Sequence, residues 1–255
     1  MKSTAPRTRR TGRPAGRAPG LTRQTILAAA TREFAARGYA GAGVDRLARG
    51  AAVNKAMIYY HFGSKAGLYR AILRGLFEPA GDQARAIVAS DRLPEEKLDA
   101  LVAAIAGRVF AQPELPPIMM REIAEGARHL DPQMLRAMAA IYRAMSAILE
   151  EGRHRGRFED VHPLLVYFTF IAPLVVFVGA LPVRQAMNRL NVTGDWDCDA
   201  ATLQRHLQQV LRRLLMPVPP RRLSRDPAAA ARRGAGGNRP GPGRLPRAAH
   251  PERKT

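Results

Sequence analysis

One cysteine, Cys198, stands in 255 residues. A lone thiol excludes an intrachain disulfide framework and any multi-cysteine zinc site, and it fits a reducing cytoplasm. Acidic residues are scarce: 21 Asp and Glu face 41 Lys and Arg, a formal net charge of +20. Catalytic signatures are missing as well. There is no nucleophile elbow, no Walker loop and no dinucleotide fingerprint. The glycine-rich GAGGNRPGPG lacks a following Lys-Ser/Thr and is no phosphate loop. Histidines at 61, 129, 154, 162, 206 and 250 show no ligand spacing with acids on one helix, so no metal and no cofactor are expected. No Val/Ile/Thr alternation is long enough for a sheet. What remains is an all-α chain, not an enzyme, with 46% hydrophobic residues for its core and a basic excess suited to a polyanionic partner.

The charge is unevenly placed. Residues 1–20 hold Lys2, Arg7, Arg9, Arg10, Arg13 and Arg17 and no acid. Residues 21–75 hold nine Lys and Arg against Glu33 and Asp45. The stretch 76–216 is almost neutral, with sixteen basic against seventeen acidic residues. Residues 217–255 hold ten basic residues against Asp226 and Glu252. Four parts follow: a disordered basic arm (1–20), a basic segment (21–75), a neutral segment (76–216) and a disordered Pro/Gly/Arg tail (217–255). No apolar stretch follows the first basic residues, so the start does not read as a secretory signal, and Pro6, Pro14 and Pro19 argue against an amphipathic transit peptide.

The basic segment reads as short helices. Thr22 is a plausible N-cap, Ile26, Ala30 and Phe34 recur on one face, and Gly38 suits the left-handed position that ends a helix. Val44, Leu47, Ala48 and Ala51 make a second amphipathic helix. After a tight connection Asn54 caps a third helix, Lys55 to Phe62, whose Ile58 and Phe62 share a face. Ser64 caps a fourth, running to about Leu76. Two short helices joined by a tight turn, the second basic and aromatic, make a helix-turn-helix, and a helix of that kind fits the major groove of DNA. An ordinary three-helix bundle with solvated charges is the bland alternative.

The residues Gly38-Tyr39, Val44, Leu47-Ala48, Ala51, Val53, Ile58-Tyr59-Tyr60-His61-Phe62, Ser64-Lys65 and Leu68 resemble the DNA-binding domain of the TetR/AcrR family of bacterial transcriptional regulators. YYHFGSK is the most specific part, and the match covers about residues 22–70. The resemblance implies a dimeric repressor that binds a palindromic operator on double-stranded DNA and is released by a small-molecule effector. Carried over residue by residue, it puts Asn54, Lys55, Ala56, Met57 and Tyr60 at the major groove, and Tyr59, His61 and Lys65 at phosphates, against the plainer readings that Tyr59 packs in the core and His61 bonds a helix end. Thr22 and Arg23 join them at the start of the first helix, and Val44 of the second helix is counted among the DNA-binding residues. The sequence also departs from the pattern. Ala42-Gly43 replaces a Thr pair, Ala52 replaces the turn glycine, Ala56-Met57 replaces Gly and Ser/Thr, and Gly67 stands where a Glu closes a capping box with Ser64.

The neutral segment reads as further helices. Leu98, Leu101, Val102, Ile105 and Val109 form one stripe, and Pro116-Pro117 opens a helix. Asp131 and Pro132 start another, with Gly152 at its end. Leu203, Leu207, Val210, Leu211 and Leu214 line the last. The 21 uncharged residues 163–183 are long enough for a bilayer, so a membrane-tethered regulator is the alternative function. Pro173 and Pro182 interrupt the run, and the resemblance offers a dimer helix buried against its own core and its twin, with no membrane. Such a protein is cytoplasmic, associated with the nucleoid through DNA. Met119, Ile123, Met138, Tyr142, Met145 and Phe168, with Met120, Met134 and Phe170 nearby in sequence, are candidates to line an apolar effector pocket, against the plainer reading that they fill a core. Arg121 or Glu122 would bind a polar end of the effector, unless both simply sit on the surface.

Overall fold

In the computed structural model the described residues, 19–192, 194 and 197–217, form ten α-helices and no strand. The N-terminal helices are α1 (Pro19–Gly41), α2 (Val44–Gly50), α3 (Lys55–Phe62) and α4 (Lys65–Val88). They continue as α5 (Pro94–Ala111), α6 (Leu115–Ala124) and α7 (Pro132–His154). The chain ends in α8 (Pro163–Gly179), α9 (Leu181–Leu190) and α10 (Ala200–Leu215). Most of the basic arm and the tail beyond Pro217 lie outside the described residues.

Two buried clusters organise the helices. Ile26, Ala30 and Phe34 of α1, Leu47 of α2, Ile58 of α3 and Leu68, Leu73 and Phe77 of α4 form the first. Leu115, Ile118 and Met119 of α6 and Met134 of α7 belong to it too. The second joins Leu101 and Ile105 of α5, Met145 and Ile148 of α7, Phe170 and Leu174 of α8 and Leu207 and Leu211 of α10. α4 enters both clusters, the second through Ala80, Ala84 and Ile87.

Several helix ends follow their local chemistry. Asn54 caps α3 by accepting the Ala56 N–H at 3.0 Å, and Asp131 caps α7 by accepting the Met134 N–H at 2.9 Å. The Glu96 carboxylate accepts the Leu93 N–H at the start of α5. Gly38 breaks α1 with φ 69°. Other ends differ from the sequence signals. α1 begins at Pro19, so Thr22 lies within its first turn, 7% exposed, and is not its cap. Proline at the first helical position loses only an N–H that has no partner there.

α4 does not stop near Leu76. It runs 24 residues, to Val88, straight through Pro79 and across the 75/76 division read from charge. Pro79 forfeits one bond to the Gly75 carbonyl, which is exposed and can be solvated. Burial of Phe77, Ala80, Gly81, Ala84 and Ile87 outweighs that loss. α7 likewise passes Gly152, which is buried because the Phe158 ring lies where a side chain would project. The left-handed turn comes instead at Gly156, φ 64°.

The uncharged run 163–183 breaks at Ala180. α8 has 17 residues, and no single described helix is long and apolar enough to cross a membrane. α8 and α9 meet that length and composition only as a pair bent by 56°. Val166, Phe170, Leu174 and Val178, four apart, bury one face of α8. Leu165, Phe168 and Val176 stay exposed, as does Val183 on α9.

Candidate nucleic-acid interface

α2 and α3 are joined by a turn whose chemistry is visible in full. Ala51 N–H bonds the Leu47 carbonyl, Ala52 N–H the Arg49 carbonyl and Val53 N–H the Ala48 carbonyl. That is a Schellman ending with Ala52 in the left-handed position, φ 52°. Alanine there retains a Cβ that glycine would lack, so the turn carries strain of about 1–2 kcal/mol. The next helix starts at once from the Asn54 cap. α2 itself begins from Gly43 with no side-chain cap, as the loss of the Thr pair implies.

α3 presents a mixed face. Ile58 is fully buried and anchors it, and Met57 is half-buried against the same cluster. Asn54, Lys55, Ala56 and Tyr59 are exposed, and Tyr60 is 79% exposed. Lys55 Nζ lies 3.0 Å from Asp45 Oδ1 on α2. The Asp45 carboxylate, first through this hydrogen bond and then through its charge, raises the Lys55 ammonium above its ordinary value. Lys55 is therefore cationic and tied to α2 in the free protein.

The flanking candidates are held by aromatic rings. The Arg23 guanidinium sits 5.2 Å from the centre of the Phe62 ring, and Lys65 Nζ sits 4.6 Å from that of Tyr39. Desolvation lowers the Lys65 ammonium from its usual value. His61 is half-buried beside the Tyr60 and Phe62 rings, and its Nε2 is enclosed with no hydrogen-bond partner. Val44 is half-buried and packs on the first cluster. Thr22 faces inward, so its side chain is withdrawn from the surface the others share. Ser64 caps α4 through the Gly67 N–H at 2.9 Å. A Cβ at Gly67 would lie 2.0 Å from the Phe62 carbonyl oxygen, so the missing Glu has no room.

Asp45 and Tyr39, the partners of Lys55 and Lys65, were not legible as such. Neither spacing nor composition pairs them with a lysine.

The six pocket candidates do not converge. Met119 belongs to the first cluster, Met138 packs against it, and Met145 is fully buried in the second. Tyr142 meets Tyr167 edge-on at 5.8 Å. Ile123 is 70% exposed and Phe168 is 55% exposed. Three cavities among the described residues are lined by none of the six. The roomiest of these three, about 330 Å³, lies among Leu27, Thr31 and Arg32 of α1, Ile72 and Gly75 of α4 and Glu114 before α6. Among the described residues no group of three His, Cys, Asp or Glu could hold a metal.

Comparison with known proteins adds to this geometry. The family model of bacterial regulatory proteins, tetR family, matches residues 26–72, and that of the tetracyclin repressor-like C-terminal domain matches residues 94–195. The HTH-type transcriptional repressor NicS of Pseudomonas putida is 33% identical over 176 residues, 68% of this chain and 82% of that protein. The HTH-type transcriptional activator FasR of Mycolicibacterium smegmatis is 46% identical over 52 residues, 20% of this chain and 24% of that one. The solved structure of the ketosteroid transcriptional regulator KstR2 of Mycobacterium tuberculosis superposes with a TM-score of 0.62 at 23% identity, covering 81% of this chain and 100% of that one.

Proposed function

The chain belongs to the TetR family of bacterial transcriptional regulators, and from that premise we propose that two copies act together as a repressor on a palindromic operator. The observation that carries the reading is α3: a capped helix, anchored by Ile58, with Asn54, Lys55, Ala56 and Tyr60 facing solvent. Such a helix can enter the major groove, where base edges are distinguishable. Arg23, Tyr59, His61 and Lys65 surround it and would position it on phosphates, which fix register but not sequence. Half-sites about 34 Å apart suit two such helices.

The exposed side chains Leu165, Phe168 and Val176 of α8 supply a surface for the second copy. An apolar stripe of that kind is costly in water and is covered by self-association. A repressing sense follows NicS, which aligns over most of its length. FasR, an activator, aligns only over a short stretch, so likeness of the reading head does not set the sign. A small effector that prefers the spacing unsuited to DNA would release the operator. The protein would work in the cytoplasm, on the nucleoid.

Selection of bound fragments from random duplexes tests the reading. Recovery of one inverted repeat, bound by two chains, is the expected result. A purified chain that binds no duplex in dilute buffer overturns it.

A further inference from the structure

α6 carries two adjacent charged residues that grip different helices. Glu122 is 1% exposed. Its Oε1 accepts the Tyr69 hydroxyl of α4 at 2.7 Å and faces His129 Nδ1 at 2.9 Å. Its Oε2 accepts the His129 backbone N–H at 3.3 Å. The loop to His129 is folded back by Gly126 and Ala127, both with positive φ, and the Ala127 N–H reaches the Glu122 carbonyl. Arg121 reaches the other way. Its guanidinium donates to the carbonyls of Phe34, Ala35 and Ala36, the last turn of α1 before the break at Gly38. Gly38 lies against the Arg121 side chain, where a Cβ would be 3.4 Å from Cδ. The Tyr39 ring fills the space between, 5.1 Å from Tyr69 and 4.1 Å from His129, centre to centre.

Burying a carboxylate is costly even when it is fully hydrogen-bonded, and an apolar residue would pack at less expense. What the polar knot adds is direction. Apolar side chains tolerate sliding, whereas hydrogen bonds of this length exist in one relative pose only. Burial and the carboxylate push the Tyr69 phenol far up, so it stays a donor. The Arg121 cation on terminal carbonyls also suits the negative end of the α1 dipole.

We propose that Arg121 and Glu122 are positioning residues that lock the reading head, α1 to α3 with the first turns of α4, in its DNA-binding pose on α6. This deepens the reading above and rests on it. Neither residue touches DNA, yet operator affinity depends on both, because an unlocked head spends only part of its time in the competent pose.

The test uses the full chain with Cys198→Ser and spin labels at two exposed positions, Arg49→Cys on α2 and Arg153→Cys on α7, diluted into unlabelled protein. Head–core distances are compared for the parent, Glu122→Gln, Arg121→Met and Tyr69→Phe. Operator binding is measured on the same variants without labels. The expected result is a broadened distance distribution in all three and operator affinity reduced about 3- to 30-fold, with an unchanged salt slope because no phosphate contact is lost. A residue that merely stabilised the fold would lower the melting temperature without widening the pose of folded molecules. Tyr69→Phe removes one hydroxyl from a ring that stays packed, so at least one variant folds. Parent-like distances in Tyr69→Phe and Glu122→Gln overturn the proposal. A parent chain that binds no duplex would instead sink the DNA reading, while the distances still decide the joint.

Discussion

Asp45→Asn should tighten binding to every duplex and steepen its dependence on salt. In the free protein the Lys55 ammonium is matched by the Asp45 carboxylate at 3.0 Å, and both side chains are largely solvated. On a random-sequence duplex, where no base matches its side chain, Lys55 neutralises a nearby phosphate, but Asp45 is left facing the same polyanion and holds a counterion there. The pair then releases almost no net cation. With asparagine the carboxylate is gone, and Lys55 contributes its full share, about 0.9 of a unit in the slope of log affinity against log salt. Between 50 and 200 mM salt the variant should therefore lose roughly 3.5-fold more affinity than the parent, having started tighter. Fluorescence anisotropy on a random-sequence duplex across that range reads the slope directly. Asp45→Asn combined with Lys55→Ala should return the slope to near that of the parent. Equal slopes for the parent and Asp45→Asn would show that Lys55 does not reach phosphate and reads bases only.

Three further outcomes follow from local geometry. Ala52→Gly relieves a left-handed alanine at about 1–2 kcal/mol and costs about 0.5–1 kcal/mol in chain entropy, so melting should rise by roughly 2–4 °C, and a lower melting point would contradict the turn. Gly67→Ala drives a Cβ into the Phe62 carbonyl and should cost about 1–3 kcal/mol; a parent-like denaturation midpoint would contradict that contact. Phe168→Glu places a charge within the exposed stripe of α8, so sedimentation should show single chains with unchanged helical content, and an unaltered assembly would remove α8 from the interface.

Local signals carried the helices well. The caps at Asn54, Ser64 and Asp131 lie where a side-chain oxygen precedes an apolar period, and α3 keeps its anticipated bounds. Local signals failed where a distant contact decides. The fourth helix reads as ending near Leu76 and the seventh at Gly152, yet burial carries both past those points. Thr22 reads as a cap, yet α1 starts three residues earlier. Of the interface, residue types and the exposed face of α3 were legible from pattern. Its ion pairs were not, because Lys55 and Asp45 belong to different helices brought together by the turn at Ala52. The methionines illustrate the same limit. Met134 and Met138 share one stripe of α7 with Met145, yet the first part of that helix packs in one cluster with Met119 of α6 and the later part in the other.

The joint on α6 gains its importance from how little the neighbouring seam can give. α4 and α7 meet through small residues, Ala80, Gly81 and Ala84 against Ala137, Ala140 and Ala144. A Cβ at Gly81 would already stand 3.1 Å from that of Ala140. Helices so closely apposed cannot slide past each other without overlap, because packed interiors hold no spare volume. The half of α4 from Ala80 onward therefore stays with α7, and re-aiming of the head is confined to the first turns of α4 and their seat on α6. α6 is different. It is ten residues long, starts at prolines and ends in the left-handed pair Gly126 and Ala127. Its apolar side chains Leu115, Ile118 and Met119 pack on α1 and α4, but its polar contacts with them run through a single guanidinium and a single carboxylate. Directional bonds of that kind break completely over a small displacement, whereas apolar contacts weaken gradually. A shift of α6 thus has two discrete outcomes for the head, held or released, which is the behaviour an on–off regulator of DNA binding requires.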